Sequence, residues 1–238
     1  DFENILKIMT FDETVEFILP CMQIYSSEQD YLKLKLFQNL EKLFKKLFKA
    51  EVFVPKVEII DIITINIFPL ASRMLMLSEE PVQQEGVEAL LKLSKTYIPK
   101  EQSQNLVMKV IQVIMDRISP ESEHQETDDV KEKAKVAILI IVQKFTAAEI
   151  FERGQCQYFI EKHLDAMLAE QFFKLKKFLL PALISISEHL DYDSFTSRVF
   201  KVFTDYYNDE IWGIRKVCIE CLPALVKHIR ATDADRLN

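Results

Sequence analysis

The chain has 238 residues, with only three glycines, eight prolines and four cysteines. At average usage it would carry roughly 17 glycines, so folds that turn tightly between strands are disfavoured, and Gly86, Gly154 and Gly213 stand too far apart to build a phosphate-cradling loop. A hydrophobic share of 49% with 28% charged residues excludes disorder, and a formal charge of −7 argues against a nucleic-acid-binding surface. An almost wholly helical protein is what remains. Four cysteines (Cys21, Cys156, Cys218, Cys221) form no disulfide framework, which points to a reducing compartment, the cytoplasm first and the nucleus as a further site. The chain opens at Asp1 without a methionine and is expected to be a fragment of a longer one. Its longest unbroken apolar run, Val136 to Val142, is far short of the ~18 residues of a membrane span, so no span is expected.

Taken in order, amphipathic stretches of helical length lie at about 11–26, 56–78, 101–118, 147–168 and 192–207. Each is followed by a second helix on one template: apolar at i, usually basic at i+1, then apolar or small at i+4, i+8 and i+11. The first set is Leu32, Lys33, Leu36, Leu40 and Leu43, and the second Val82, Gln83, Gly86, Leu90 and Leu93. The third is Val130, Lys131, Ala134, Ile138 and Ile141; the fourth Leu175, Lys176, Leu179, Leu183 and Ile186; the fifth Ile214, Arg215, Cys218, Leu222 and Leu225. Spacings of three and four hold these positions on one helical face. Gly86 is the small member at which a neighbouring helix comes close. Polar turns separate the members of each pair, Pro81 suits a first helical turn, and Asp129 with Glu132 has capping-box spacing. Pro20, Pro69, Pro181 and Pro223 fall inside predicted helices and should bend them. The segment 119–127, acidic and polar, reads as a loop. Helix pairs recurring every 39 to 50 residues have the size of HEAT or armadillo units. The expected fold is all-α, a right-handed α–α superhelix of about five pairs, one solenoid with units near 1–50, 51–98, 99–145, 146–190 and 191–238.

Cys218 and Cys221 have the spacing of half a zinc site, but a structural zinc needs four ligands and no second pair is local. Cys218 also fills the small core position of its repeat, so a buried free thiol is the better reading. His124, His163, His189 and His228 are scattered, without HExxH spacing or a local nucleophile, and no GxSxG occurs. Paired carboxylates such as Glu79/Glu80 and Asp128/Asp129 sit in turns, where capping and the helix dipole account for them. Neither intrinsic catalysis nor a cofactor nor a metal is expected. Residues 32–48 form a basic amphipathic helix that could meet calmodulin or anionic lipid; because they fit the repeat template, a docked helix with solvated lysines is favoured. Trp212, the sole tryptophan, stands at the mouth of a helix beside Gly213, either as an anchor for a partner or as a cap on the inter-repeat core. Phe172 and Phe173 occupy the equivalent turn of the previous unit, so aromatics would line one ridge.

The stretch Ile211-Trp212-Gly213-Ile214-Arg215-Lys216-Val217-Cys218-Ile219-Glu220-Cys221, with Phe200-Lys201-Val202-Phe203 leading into it, resembles HEAT repeats of the regulatory and scaffold subunits of type 2A-family protein phosphatases, most like those of protein phosphatase 4. The specific match covers about residues 195–225, whereas the generic repeat covers nearly the whole chain. The resemblance implies a non-catalytic scaffold whose partner is a type 2A-family Ser/Thr phosphatase catalytic subunit, met by the turns within each pair. It also implies that the basic i+1 residues (Lys33, Lys131, Lys176, Arg215) pair with aspartates of adjacent turns, for which Asp30, Asp128 and Asp209 are placed. Phe172, Phe173, Lys176, Asp209, Trp212 and Arg215 are therefore the expected partner-binding residues. Two other readings stay open: a structural HEAT protein of a cytoskeletal or ciliary assembly, and an importin-like transport receptor.

Overall fold

The computed structural model describes residues 2–25, 29–123, 125–169 and 172–237, without the side chains of Glu3 and of residues 230–237. Among these residues there is no strand: the fold is all-α, a solenoid-like arrangement of stacked helix pairs. The chain divides into two compact units, residues 1–137 and 138–238.

In the first unit a short helix α1 (Phe2–Ile8) precedes α2 (11–25), α3 (Asp30–Phe48), α4 (Lys56–Met76), α5 (Glu80–Tyr97), α6 (Lys100–Ile118) and the first half of α7 (Asp128–Ala147). Helix α3 packs on α5, and α4 on α6, so the members of successive pairs stack like on like. The second unit continues α7 and adds α8 (Arg153–Lys162, resuming at Leu164–Leu168), α9 (Phe173–Ile186), α10 (192–207) and α11 (Trp212–Leu237), with α11 lying on α9 and α10.

Most of the repeat-template positions lie in the core. Leu40, Leu43, Leu90, Leu93, Ile138, Ile141, Leu179, Leu183, Ile214, Cys218 and Leu225 are all buried. Gly86 is buried under the ring of Phe37, so close that a Cβ there would lie 2.6 Å from the ring. Leu32, Leu36 and Val130 are only half-buried, and Leu222 is exposed, because α11 meets α9 and α10 through Ile214, Val217, Cys218 and Leu225 and turns Leu222 away. Helix α4 is long and apolar enough to cross a membrane by length and composition, a feature that scanning for unbroken apolar runs overlooks. In the structure 61% of its apolar window is buried, with Ile59, Ile63, Ile67, Ala71 and Met74 in the core, as suits a packed helix.

Local differences from the sequence reading have physical causes. The helices expected to bend at Pro20 and Pro69 widen into one π-helical segment just before each proline, at Thr14–Ile18 and Ile63–Ile67. A wider turn gives the ring room against the preceding carbonyl and absorbs the missing N–H. A similar segment at Phe195–Phe200 has no proline after it, and nothing in the structure explains it. Helix α8 starts at Arg153 instead of near 147. Residues 148–152 turn instead: Glu149 is left-handed (φ 58°), Ile150 and Phe151 both donate to the Phe145 carbonyl, and their side chains are buried. The capping expected from Asp129 falls to Thr127, whose Oγ1 accepts the Val130 N–H at 3.4 Å, while Asp129 pairs with Lys133 at 2.7 Å.

The turns of the first unit are joined by a polar ladder. Lys33, nearly buried, donates to Asp30 (3.0 Å) and to the Leu77 carbonyl (2.9 Å), and the Glu79 N–H donates to the other Asp30 oxygen at 2.9 Å. Burial pushes the Asp30 carboxyl upward, but the Glu79 N–H and Lys33 outweigh it and hold the group below its ordinary value. Gln83, uncharged at a position where the other repeats are basic, does the same work: its buried amide donates to the carbonyls of Leu75 (2.9 Å) and Lys133 (2.8 Å). In the third repeat the bridging cation is Lys133, bonded to Glu79 (2.8 Å) and Asp129, whereas Lys131 stands 3.9 Å from Asp128 of its own turn.

Candidate functional site

The six residues singled out by sequence all lie in the second unit, on the turn into α9 and the turn between α10 and α11. Helix α10 ends at Tyr207, after which Asn208 bonds back to the Thr204 carbonyl and the Asp209 N–H to that of Tyr206. Asp209 then starts α11: one carboxylate oxygen accepts the Ile211 N–H at 2.8 Å, an Asx turn made by a short polar side chain. The other oxygen accepts Lys176, one turn into α9, at 2.8 Å, with both side chains mostly shielded. Arg215 closes the turn from the far side, donating to the carbonyls of Asp209 and Glu210 at 2.8 Å each. The Lys176 hydrogen bond first, then the Ile211 N–H, hold the Asp209 carboxyl below its ordinary value. Lys176 also lies 5.9 Å from the ring centroid of buried Tyr206, whose hydroxyl is pushed up by burial.

This turn carries the aromatics. Trp212 is the first residue of α11 and is 67% exposed, and its indole N–H finds no hydrogen-bond partner among the described residues. It therefore does not cap the core. Lys216, one turn on, sits 5.9 Å from its ring centroid. Phe173, 44% exposed at the start of α9, rests against Gly213: a Cβ there would lie 3.0 Å from the Phe173 ring. Phe172 caps α9 and is half-buried. The structure thus brings Lys176, Asp209 and Arg215 together by direct bonds, rests Phe173 against Gly213 and leaves the neighbouring Trp212 exposed. A cavity of about 430 Å³ opens beside the anchor, lined in part by Lys176, Asp209, Lys201 and Asp205 and by the Asp165–Arg198 pair (2.7 Å). That pair joins α8 to α10 and carries no sequence signal, since its members are 33 positions apart.

Other candidates resolve into packing. Cys218 is buried with its thiol 3.8 Å from the Phe203 carbonyl, and burial pushes it up to about 11; Cys221 is pushed up to about 12 by burial and by Cys218. Burial thus favours the neutral thiol at both positions, as suits packed cysteines. Among the described residues no three His, Cys, Asp or Glu side chains gather as a ligand set. His163 is buried against Tyr158 and Phe159, and His228 lies 4.4 Å from Phe195, with burial lowering its basicity. His124 lies outside the described residues.

Compared with known proteins, the chain matches no family model and no curated protein.

Proposed function

We propose that the chain is a non-catalytic scaffold of the HEAT-repeat kind, which binds a type 2A-family Ser/Thr phosphatase catalytic subunit and positions it on its substrates. The observation that carries this reading is the exposed Trp212, mounted on a turn that Lys176, Asp209 and Arg215 hold in place. Tryptophan and arginine are among the residues in which interface binding energy concentrates. A turn fixed before encounter loses little freedom on binding. The resemblance of residues 211–221 to phosphatase regulatory repeats supplies the choice of partner. The scaffold works by effective concentration: it brings phosphoproteins to the partner's active site and leaves hydrolysis to the partner.

Surface plasmon resonance with an immobilised type 2A-family catalytic subunit tests the reading. Trp212→Ala is expected to weaken capture by about 2 kcal/mol or more, and Phe173→Ala by less. Unchanged capture by both variants, or phosphatase activity of the purified chain alone, sinks it.

A further inference from the structure

Pro120 stands apart from the other prolines. Seven of the eight lie within a helix or at its N-cap or first turn, whereas Pro120 sits in an exposed turn well before α7 begins at Asp128. It follows Ser119, the residue that ends α6, and no other proline of the chain follows a hydroxyl side chain. A helix stop accounts for the proline. It does not account for the hydroxyl, which accepts the Glu121 N–H at 3.3 Å, beyond the usual range, and whose own proton meets no acceptor among the described residues. Ser119 is extended (φ −60°, ψ 143°), and its carbonyl accepts the Ser122 N–H at 3.0 Å. It is half-buried, with Pro120 and Glu121 exposed beside it. Two residues upstream, Arg117 of the last turn of α6 donates through Nε to Glu126 at 2.7 Å, with the guanidinium more open to solvent than the carboxylate.

We infer that Ser119 is a phosphorylation site for a proline-directed Ser/Thr kinase, and that the phosphoserine draws Arg117 away from Glu126. The Ser119 Oγ attacks the γ-phosphorus of ATP, the new Oγ–P bond replaces the bond to ADP, and the hydroxyl proton passes to the kinase's base. A proline after the acceptor brings no N–H into the kinase cleft, where one without a partner is costly. The product carries about −1.5 to −2 charges and three acceptor oxygens. The carbonyl end of α6 and the neighbouring Glu121 repel that charge, so it turns to a cation within reach. Residues two apart stand at most about 7 Å from each other, within the length of an arginine side chain. A guanidinium binds phosphate bidentately, and Glu126 offers it only a single charge in competition. The inference is independent of the phosphatase reading, since every residue it uses is in the first unit.

The test incubates the folded chain with ATP and a purified mitogen-activated protein kinase and locates the phosphate by tandem mass spectrometry. Incorporation is expected at Ser119, is lost there in Ser119→Ala, and slows by about tenfold in Pro120→Ala, while Ser122→Ala is phosphorylated like the unaltered chain. Phosphorus NMR then identifies the partner of the phosphate. Its second ionisation, ordinarily at about pH 6, should lie about half a unit higher in Arg117→Gln than in the unaltered chain. In Glu126→Gln, where Arg117 has no competing carboxylate, it should lie lower. No incorporation, incorporation only at other residues, an unchanged rate in Pro120→Ala, or a titration that either NMR variant leaves unmoved overturns the proposal.

Discussion

Phe37 over Gly86 and Phe173 against Gly213 are the same device in two places: a phenylalanine of one helix lies where the next has no side chain to oppose it. Around Gly86 the device is sealed. Phe37 is 1% exposed, and the approach of 2.6 Å to a would-be Cβ leaves no room to yield. Around Gly213 it is open: the approach is 3.0 Å, Phe173 is half in solvent, and Trp212 stands beside it. The first is a packing contact that holds two helices together. The second is a small residue that lets Phe173 lie at a surface next to the turn carrying exposed Trp212, which is why the second unit, not the first, carries the partner-binding reading.

Truncation should separate the two contacts most sharply. Phe37→Ala is expected to cost about 3–5 kcal/mol by removing a fully buried ring, whereas Phe173→Ala should cost under about 1 kcal/mol, both read from urea unfolding. Comparable losses would show that Phe173 belongs to the core after all. Filling the glycines should give the same order at smaller scale. Gly86→Ala gains up to about 1 kcal/mol of helix propensity but forces a ring that cannot move, so a net loss of about 1–3 kcal/mol is expected. Combined with Phe37→Ala, it should cost less than the two separate losses added together, because the clash is then gone. Gly213→Ala should change stability by under about 1 kcal/mol, since Phe173 has solvent to swing into.

The close approach at Gly86 was legible because a glycine replaced an apolar residue at a fixed repeat position. The seal around it was not, because Phe37 lies outside the template. Trp212 could be located but not its exposure, since an aromatic at a helix mouth packs inward or outward with the same sequence. The turn at 148–152 was hidden for a different reason: Ile150 and Phe151 extend an apolar pattern as well in a buried turn as in a helix, and the left-handed residue is Glu149, not a glycine. Gln83 departs from the basic i+1 position in charge alone. The ladder needs a donor that reaches neighbouring carbonyls, and an amide supplies one.

The ladder offers the finest comparison between the units, because Asp30 and Asp209 are both held below their ordinary range but with different partners. Asp30 owes its shift to the Glu79 N–H and Lys33 working against burial, Asp209 first to Lys176 and then to the Ile211 N–H. In either case the unfolded chain takes up a proton more readily than the native one. Stability is therefore fully present above about pH 4, the range of an unperturbed aspartate, and is lost as pH falls through the lower native value. Asp30→Asn and Asp209→Asn should each flatten the acid limb of a stability–pH profile measured by urea unfolding, and should do so only below about pH 5. At neutral pH the second variant also leaves Lys176 without its carboxylate beside Tyr206, at a cost of about 1–2 kcal/mol for a mostly shielded pair. Lys176→Met should flatten the same limb as Asp209→Asn, because it removes the group that holds the carboxyl down. If the Lys176→Met profile keeps the full acid slope, Asp209 is held by its Asx turn alone, and the anchor under Trp212 is the turn rather than the ion pair.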